Sequence, residues 1–317
     1  MTSLIPDGAT RLTVVGVPGI ASRKPTWLKH DVPLAGPNYR ELKRTMRGLA
    51  LNTVCEEARC PNISQCWEDR EASFLIGGSE CTRRCGFCNI ATGKPKGYDT
   101  DEPRRVAEAV AAMELNFAVV TGVARDDLAD GGAWLFAETY RRIKELLPRC
   151  GVELLVPDFG GKDASRRIVT EVHPEVFAHN LETVRRVFRH TRPAFTYDGS
   201  LAFLAAAREE LPADCATKSN LILGMGETEN EVVEAMRDLR GVGVSILTIG
   251  QYLQPTHKHL ALQRYATPAE FSRYTVIGRE LGFAHVESGP LTRSSYRAGR
   301  QAQDAGVWTR PVHATVG

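Results

Sequence analysis

Residues 117–123 read FAVVTGV, an apolar run of strand length between two helix-like segments. The flanking segments, 103–115 and 134–147, carry apolar residues at three- and four-residue spacing, the period of an amphipathic helix. A strand that is apolar throughout indicates burial on both faces, as in a parallel sheet covered by helices. This stretch therefore predicts a helix–strand–helix unit of an α/β fold.

The same alternation continues towards the C-terminus. Thr228 and Glu231, and again Thr267 and Glu270, have the spacing of helix capping boxes between strand-like runs. Six strand–helix units predict a partial (β/α)6 barrel of the TIM type with N- and C-terminal extensions. The further strand-length runs are 152–158, 176–179, 194–197, 220–225 and 246–251.

We divide the chain into three parts on this basis. Residues 1–76 are predicted to form an N-terminal extension, residues 77–285 the barrel, and residues 286–317 a C-terminal extension. The basic run 297–300 in the last part is expected to lie in a solvated tail.

Composition limits the classes of function. The chain has 317 residues, 43% hydrophobic and 25% charged, as expected of one large globular domain with extensions. A net charge of +2 predicts no nucleic-acid partner. No apolar stretch reaches the roughly 18 residues of a membrane span, and no secretory signal precedes the first strand. We therefore expect a cytoplasmic location, where clustered cysteines are metal ligands rather than disulfides.

Six of the eight cysteines lie in two triplets upstream of the first predicted strand. Cys81, Cys85 and Cys88 have the spacing C-x3-C-x2-C in a loop-like segment, 77–89. Three thiolates can hold three irons of a [4Fe–4S] cube and leave the fourth iron open to another ligand. A structural zinc site is the alternative, although this triplet leaves the zinc tetrahedron one ligand short.

The other triplet, Cys55, Cys60 and Cys66, has the spacing C-x4-C-x5-C. It predicts a second metal centre, again with one position that cysteine does not fill. Trp67 follows directly and is expected to shield this centre. No conventional catalytic acid or base is predicted, so the chemistry is assigned to the metal centres and a bound cofactor.

The triplet Cys81, Cys85 and Cys88, with Phe87 before its last cysteine, resembles the signature of the radical S-adenosylmethionine (SAM) superfamily. In that superfamily the open iron binds SAM, and reductive cleavage of SAM yields a 5′-deoxyadenosyl radical. Both triplets together resemble those of the lipoyl synthases. Blocks along most of the chain share this resemblance, among them RKPTWLK (23–29), VTGVARDDLADGGAW (120–134), HNLETV (179–184) and GPLTRSSY (289–296).

This resemblance implies a sulfurtransferase that inserts two sulfur atoms, at carbons 6 and 8 of an octanoyl chain attached to a lysine of a carrier domain. The implied cofactors are SAM and two [4Fe–4S] clusters, of which the auxiliary cluster at the first triplet is the sulfur source. A serine of the R-S-S-Y motif is the implied fourth ligand of that cluster; we assign Ser295, with Ser294 as the alternative. The implied partners are an octanoylated carrier, either the glycine cleavage H protein or a 2-oxoacid dehydrogenase E2, and a small electron donor such as ferredoxin or flavodoxin.

Further SAM contacts are predicted at the C-terminal ends of the barrel strands, where α/β barrels carry their active sites. Phe87 and Thr121 are assigned to this group. Asn180 and Glu182 follow the third predicted strand and are expected to bind the SAM ammonium or ribose, with helix capping as the alternative role of Asn180. Lys218, at the start of the fifth predicted strand, is expected to pair with the SAM carboxylate or the carrier.

Two other functions stay open at this point. One is a different radical SAM reaction, such as biotin-type sulfur insertion, which the first triplet and the R-S-S-Y motif disfavour. The other is a zinc-stabilised binding module without catalysis, which metal analysis would distinguish.

Overall fold

One eight-stranded sheet forms the centre of the protein. The computed structural model describes residues 24–28, 36–57, 60–68 and 70–311. A separate ribbon pairs β3 (Glu80–Cys81) with β4 (Ala91–Thr92). The strands of the main sheet, in sheet order, are β1 (Asn52–Thr53), β2 (Ala72–Ile76), β5 (Phe117–Gly122), β6 (Gly151–Leu155), β7 (Val176–Ala178), β8 (Ala216–Leu223), β9 (Ile246–Gln251) and β10 (His285–Ser288).

The sheet is a partial barrel, which confirms the predicted fold class. Its order follows the chain from β2 to β10, every pair in that run is parallel, and only β1 is antiparallel. Among the described residues the order does not return from β10 to β1. The barrel therefore has an open seam between its first and last strands.

Helices cover the outside of the sheet. Both predicted capping boxes are present, because Thr228 and Thr267 accept from the backbone of Glu231 and Glu270. No helix in the described ranges is both long enough and apolar enough to cross a membrane. The helices are α1 (Pro37–Gly48), α2 (Val54–Glu57), α3 (Ile63–Glu68), α4 (Glu102–Ala112), α5 (Ala133–Leu146), α6 (Asp163–Thr170), α7 (Arg185–Thr191), α8 (Tyr197–Glu210), α9 (Glu229–Gly241), α10 (Pro268–Glu280) and α11 (Ala298–Asp304).

The last helix, α11, closes the N-terminal end of the barrel. Its Ala298 and Ala302 pack with Phe117, Val176 and other residues from the starts of the barrel strands. The predicted solvated tail is therefore wrong for the run 297–300, whose second and third residues are buried. Two small residues per turn let this helix approach the strand ends closely.

The strand predicted at 194–197 is wrong. Thr196 is instead the N-cap of α8, and its hydroxyl accepts from Gly199 N at 3.1 Å. The parallel run has seven strands, and the sequence predicted neither its first strand, β2, which the sequence division placed in the N-terminal extension, nor its last strand, β10. The boundary predicted at 76/77 therefore falls at the end of a barrel strand, and the boundary at 285/286 falls inside β10. Where the extensions begin stays a proposal.

Candidate functional site

The loop that carries Cys81, Cys85 and Cys88 follows β2 and is closed by the β3–β4 ribbon. Gly93 N donates to Cys81 O at 3.0 Å, and Cys88 N donates to Cys85 O at 3.2 Å within the turn. Gly86 N donates to Thr191 O at 2.9 Å, which attaches the turn to the end of α7. Backbone bonds thus hold the three cysteines at the C-terminal end of the barrel.

Arg83, inside the cysteine loop, fixes that loop to the barrel. Its guanidinium contacts Asp126 and Asp158, each at 2.6 Å, from the loops after β5 and β6. The same group lies 4.3 Å from the centre of the Phe195 ring. Thr82 adds a hydrogen bond of 2.6 Å to Asp126. The loop is therefore positioned by two strands other than its own.

Arg125 ties together the two ends of the cysteine loop. This buried side chain donates to Gly77 O at 3.0 Å, before the cysteines, and to Gly97 O at 2.9 Å, after them. Asp127 pairs with it at 2.8 Å. Neither Arg83 nor Arg125 was among the predicted site residues. The only feature of the sequence that could have pointed to them is their place in recognised motifs. Arg83 lies between Cys81 and Cys85, and Arg125 lies in the block 120–134.

The thiols of this loop are shielded from water. Burial raises the pKa of Cys88 to about 12 and also raises the pKa of Cys85, which the nearby Arg192 opposes. Cys81 Sγ accepts from Arg83 N at 3.4 Å and from Ala124 N at 3.3 Å. Such donors stabilise a thiolate, the form that binds metal. Cys81 thus faces two backbone donors, one from its own loop and one from the segment after β5.

Glu182, with Asn180 hydrogen-bonded to it, lies near enough to these thiols to act on their charge. Glu182 accepts from Asn180 Nδ2 at 3.0 Å and from Asn220 Nδ2 at 2.8 Å, and its carboxylate contributes to the raised pKa of Cys85 and Cys88. Asn180 Oδ1 is buried and has no hydrogen-bond partner. A buried oxygen of this kind marks a place for a donor on a ligand.

The other three predicted SAM contacts lie in different surroundings. Phe87 is half-exposed in the cysteine loop, and Thr121 ends β5, where its hydroxyl donates to Leu155 O at 2.9 Å. Lys218 lies within β8 rather than at its start, and its ammonium is 2.7 Å from Glu153. Both charged groups are 0% exposed, so Lys218 is committed to an ion pair inside the barrel. Burial lowers the pKa of Lys218 and raises that of Glu153, while each opposes the shift of the other.

Cys55, Cys60 and Cys66 line a common cavity at the open seam of the barrel. Ser295 lines the same cavity, and Ser294 is not among its lining residues. Two contacts attach the C-terminal segment to the cysteine segment: Asn62 donates to Leu291 O at 2.7 Å, and Tyr296 donates to Gln65 at 3.4 Å. Residues more than two hundred positions apart in sequence thus form one site.

The thiols of this cavity are also buried. Burial raises the pKa of Cys55 to about 12, and the neighbouring Cys60 adds to that rise. Trp67 is fully buried beside the triplet, and its indole Nε1 has no hydrogen-bond partner. Burial also raises the pKa of Cys60, which the neighbouring Arg293 guanidinium opposes. Arg293 thus favours the thiolate of Cys60, the form that binds metal.

The donor sets fit two iron–sulfur cubes. In the part of the chain that the structure describes, no three His, Cys, Asp or Glu side chains converge closely enough for a single metal ion. A cube does not require that closeness, because each thiolate binds a different iron. Each triplet supplies three thiols, and an oxygen lies beside each: Asn180 Oδ1 at one site and the Ser295 side chain at the other.

Comparison with known proteins also points to an iron–sulfur enzyme of the radical SAM type. The Radical SAM superfamily profile matches residues 75–239, and the profile of the N-terminal domain of lipoyl synthase of the Radical_SAM family matches residues 14–60. A lipoyl synthase of Mycobacterium leprae (strain Br4923) is 56% identical over 306 residues, 96% of each chain. A lipoyl synthase of Nocardia farcinica is 59% identical over 278 residues, 88% of this chain and 78% of that protein.

Two solved structures share the fold at low sequence identity. Streptococcus suis SuiB bound to S-adenosylmethionine has a TM-score of 0.53 at 12% identity, over 80% of this chain and 61% of that chain. HydG, a maturase of the [FeFe]-hydrogenase, has a TM-score of 0.52 at 14% identity, over 74% and 62% of the two chains.

Barrel, cysteine loop and profile match together define a radical SAM enzyme. The full-length relatives narrow the class, and the chain belongs to the lipoyl synthase family. It is a sulfurtransferase that uses SAM and [4Fe–4S] clusters to insert two sulfur atoms into a protein-bound octanoyl chain, with the auxiliary cluster as sulfur source. Biotin-type sulfur insertion and a non-catalytic zinc module, both left open by the sequence, are wrong.

Proposed function

We propose that Cys81, Cys85 and Cys88 hold the cluster that binds SAM. When bound, SAM and this cluster supply a radical that removes hydrogen from carbons 6 and 8, and the auxiliary cluster supplies the two sulfur atoms. The role of the protein's own side chains around this loop is to hold the three cysteines in place. Arg83 and Arg125 hold the loop against the barrel, with the Cys85 and Cys88 thiols within the electrostatic reach of Glu182.

Asn180 and Glu182 are proposed to orient SAM. The unpartnered Asn180 Oδ1 accepts from the SAM ammonium or a ribose hydroxyl, while the bonds from Asn180 Nδ2 and Asn220 Nδ2 fix the Glu182 carboxylate. Thr121 and Phe87 are proposed to line the same space from β5 and the cysteine loop. Thr121 has its hydroxyl hydrogen engaged by Leu155 O, so its oxygen can only accept.

Cys55, Cys60, Cys66 and Ser295 are proposed as the ligands of the auxiliary cluster. The observation that carries this assignment is the single cavity that all four side chains line. A serine oxygen is a harder ligand than a thiolate and matches a soft cluster less well. Ser295 would therefore be the ligand that is most easily lost from the site.

The enzyme acts on a lipoyl carrier protein, as its family does. We propose the glycine cleavage H protein or a 2-oxoacid dehydrogenase E2 as that carrier, ferredoxin or flavodoxin as the electron donor, and the cytoplasm as the location. A net charge of +2 gives no field that would direct the chain to nucleic acid.

Two triple variants test the assignment of the clusters. Replacing Cys55, Cys60 and Cys66 by Ala is expected to leave SAM cleavage to 5′-deoxyadenosine intact and to abolish thiolated product from an octanoyl-lysyl peptide. Replacing Cys81, Cys85 and Cys88 by Ala is expected to abolish both. Two cubes predict about eight irons in the wild type and about four in each variant. Sulfur insertion by the first variant would refute the proposed sulfur source.

A further inference from the structure

Arg192, at the end of α7, is a buried cation without a carboxylate partner. Its side chain is 6% exposed, and no Asp or Glu in the described ranges forms an ion pair with it. The guanidinium donates to Asn180 O and lies 3.8 Å from the centre of the Phe195 ring, but neither partner carries a negative charge. Its Nε has no hydrogen-bond partner. A buried charge without a counter-charge is costly, so we expect the counter-charge to come from a bound group.

A second arginine beside the same ring has the partners that Arg192 lacks. The guanidinium of Arg83 is 4.3 Å from the centre of the Phe195 ring. Arg83 is also buried, and it pairs with Asp126 and Asp158, each at 2.6 Å. The protein thus neutralises one of two neighbouring buried cations with its own carboxylates and leaves the other without one.

The unpaired cation lies beside the SAM-binding cysteines. Gly86 N donates to Thr191 O at 2.9 Å, which joins the residue after Cys85 to the residue before Arg192. The charge of the guanidinium reaches the Cys85 thiol, where it opposes the rise in pKa that burial causes. Glu182 lies within reach of the same charge, yet its hydrogen bonds come from two asparagine side chains. The negative group nearest in kind to a missing partner is therefore a cluster held by Cys85.

We propose that Arg192 supplies the counter-charge of the SAM-binding cluster and raises its reduction potential. Three thiolates leave a [4Fe–4S] cube with a net negative charge, and the one electron that the small donor protein adds makes this charge larger. A buried cation beside the cube stabilises the reduced form more than the oxidised form, because the attraction grows with the charge. The inference rests on the proposed ligands Cys81, Cys85 and Cys88.

Arg192→Met removes the charge and keeps a side chain that can pack on the Phe195 ring. The reduction potential is measured without SAM, by a redox titration followed by electron paramagnetic resonance. Full-length protein with Cys55, Cys60 and Cys66 replaced by Ala is used, so that one cluster remains. We expect the equilibrium constant for one-electron reduction to fall about tenfold, which lowers the potential by about 59 mV.

The matched control is Arg189→Met. Arg189 lies three residues earlier, in α7, and its side chain is exposed, so that water and salt screen its charge. Its potential is expected to equal that of the parent protein. An equal decrease in Arg189→Met and Arg192→Met would show a general effect of net charge and would overturn the inference.

Arg192→Lys separates the charge from the packing. Lysine keeps the charge but loses the planar group that stacks on Phe195. We expect its potential to lie closer to that of the parent than to that of Arg192→Met, whereas a purely structural role predicts an equal decrease in both. An unchanged potential in Arg192→Met would also overturn the inference. So would a decrease that appears only with SAM bound, because that result would assign Arg192 to the SAM carboxylate.

Arg192→Gln is a second neutral variant with the same expected decrease, and it decides the question where Arg192→Met does not take up a cluster. Failure of the proposed function gives a different result. The protein with Cys55, Cys60 and Cys66 replaced by Ala would then not hold the about four irons of one cube, before any change is made at Arg192.

Discussion

Ser295 is the only oxygen donor among the seven proposed iron ligands. It lies in the cavity of the first cysteine triplet, two residues after the half-buried Arg293, whose charge favours the Cys60 thiolate. As a harder ligand, Ser295 would form the weakest of the four bonds to the proposed auxiliary cluster.

Ser295→Cys is expected to strengthen that bond. A thiolate matches the soft cluster, so the auxiliary cluster should survive longer and sulfur insertion should slow about tenfold, a barrier change of about 1.4 kcal/mol. Iron released per product and product formed in a single turnover measure the effect. Ser294→Cys is the control, because Ser294 does not line the cavity. A normal rate in Ser295→Cys, or the same slowing in Ser294→Cys, would contradict the assignment.

Spacing in the sequence located the cysteines, since ligands in a short segment must lie close in space. It could not show which segments Arg83 and Arg125 hold. Arg83 pairs with Asp126 and Asp158 from the loops after β5 and β6, and Arg125 donates to two backbone carbonyls, which have no side-chain signal. The ion pair of Lys218 was unpredictable for a related reason. Its partner Glu153 lies sixty-five residues away, a separation that no local sequence pattern reveals.

At the scale of elements, the segment after β10 packs against a glycine of β9, Gly250. Gly289 N donates to Ile249 O at 3.0 Å, which starts the segment along this strand. A Cβ on Gly250 would lie 2.1 Å from Thr292 O, inside contact distance. Gly250 thus lets the segment that carries Ser295 lie directly on the sheet.

Gly250→Ala is expected to displace that segment. The clash is with a backbone oxygen, so the change should destabilise the protein by about 1–3 kcal/mol, as overpacking does, and lower the iron content of the auxiliary site. Thermal unfolding and iron analysis measure the two effects. Gly48→Ala is the control, because nothing lies within 4 Å of a Cβ there. Full auxiliary iron in Gly250→Ala would show that this contact does not position Ser295.

The sequence predicted strands correctly where it contains a long run of apolar residues. The strand at 246–251 is confirmed to the residue, and the run at 117–123 to within one. The strand predicted at 194–197 was wrong because threonine favours both strands and helix N-caps. In this protein Thr196 caps the N-terminus of α8. β2 was missed because it lies between the two cysteine triplets and follows α3, a six-residue helix too short to show a helical period in the sequence.

At the scale of the whole molecule, the barrel encloses a buried ion pair between Lys218 and Glu153. Lys218 from β8 reaches Glu153 on β6 across the intervening strand, and Val119, a wall of the auxiliary cavity, is the register partner of Glu153. Glu153 Oε1 has no hydrogen-bond partner. A buried pair of this kind is sensitive to the loss of one member, because the other is left as an uncompensated charge.

Lys218→Met is therefore expected to destabilise the protein by about 3–5 kcal/mol, and the double variant Glu153→Leu/Lys218→Met to recover most of that loss. Thermal unfolding of the loaded protein measures both. SAM binding by the double variant decides the role of Lys218. Unchanged affinity is expected of an ion pair that supports the barrel, whereas affinity weaker by about tenfold, or 1.4 kcal/mol, would assign Lys218 to SAM.

The hold of Arg125 on Gly77 O and Gly97 O has an entropic consequence. It closes a loop of roughly twenty residues, and closing such a loop costs about 3 kcal/mol of chain entropy. Because folding already covers this loss of chain entropy, binding of iron does not have to bring the three cysteines together. The SAM-binding loop is thus a preorganised chelator that can be filled and kept. The auxiliary site instead joins two distant segments of chain through Asn62 and Tyr296, so its proposed ligands come together only when the C-terminal segment is in place.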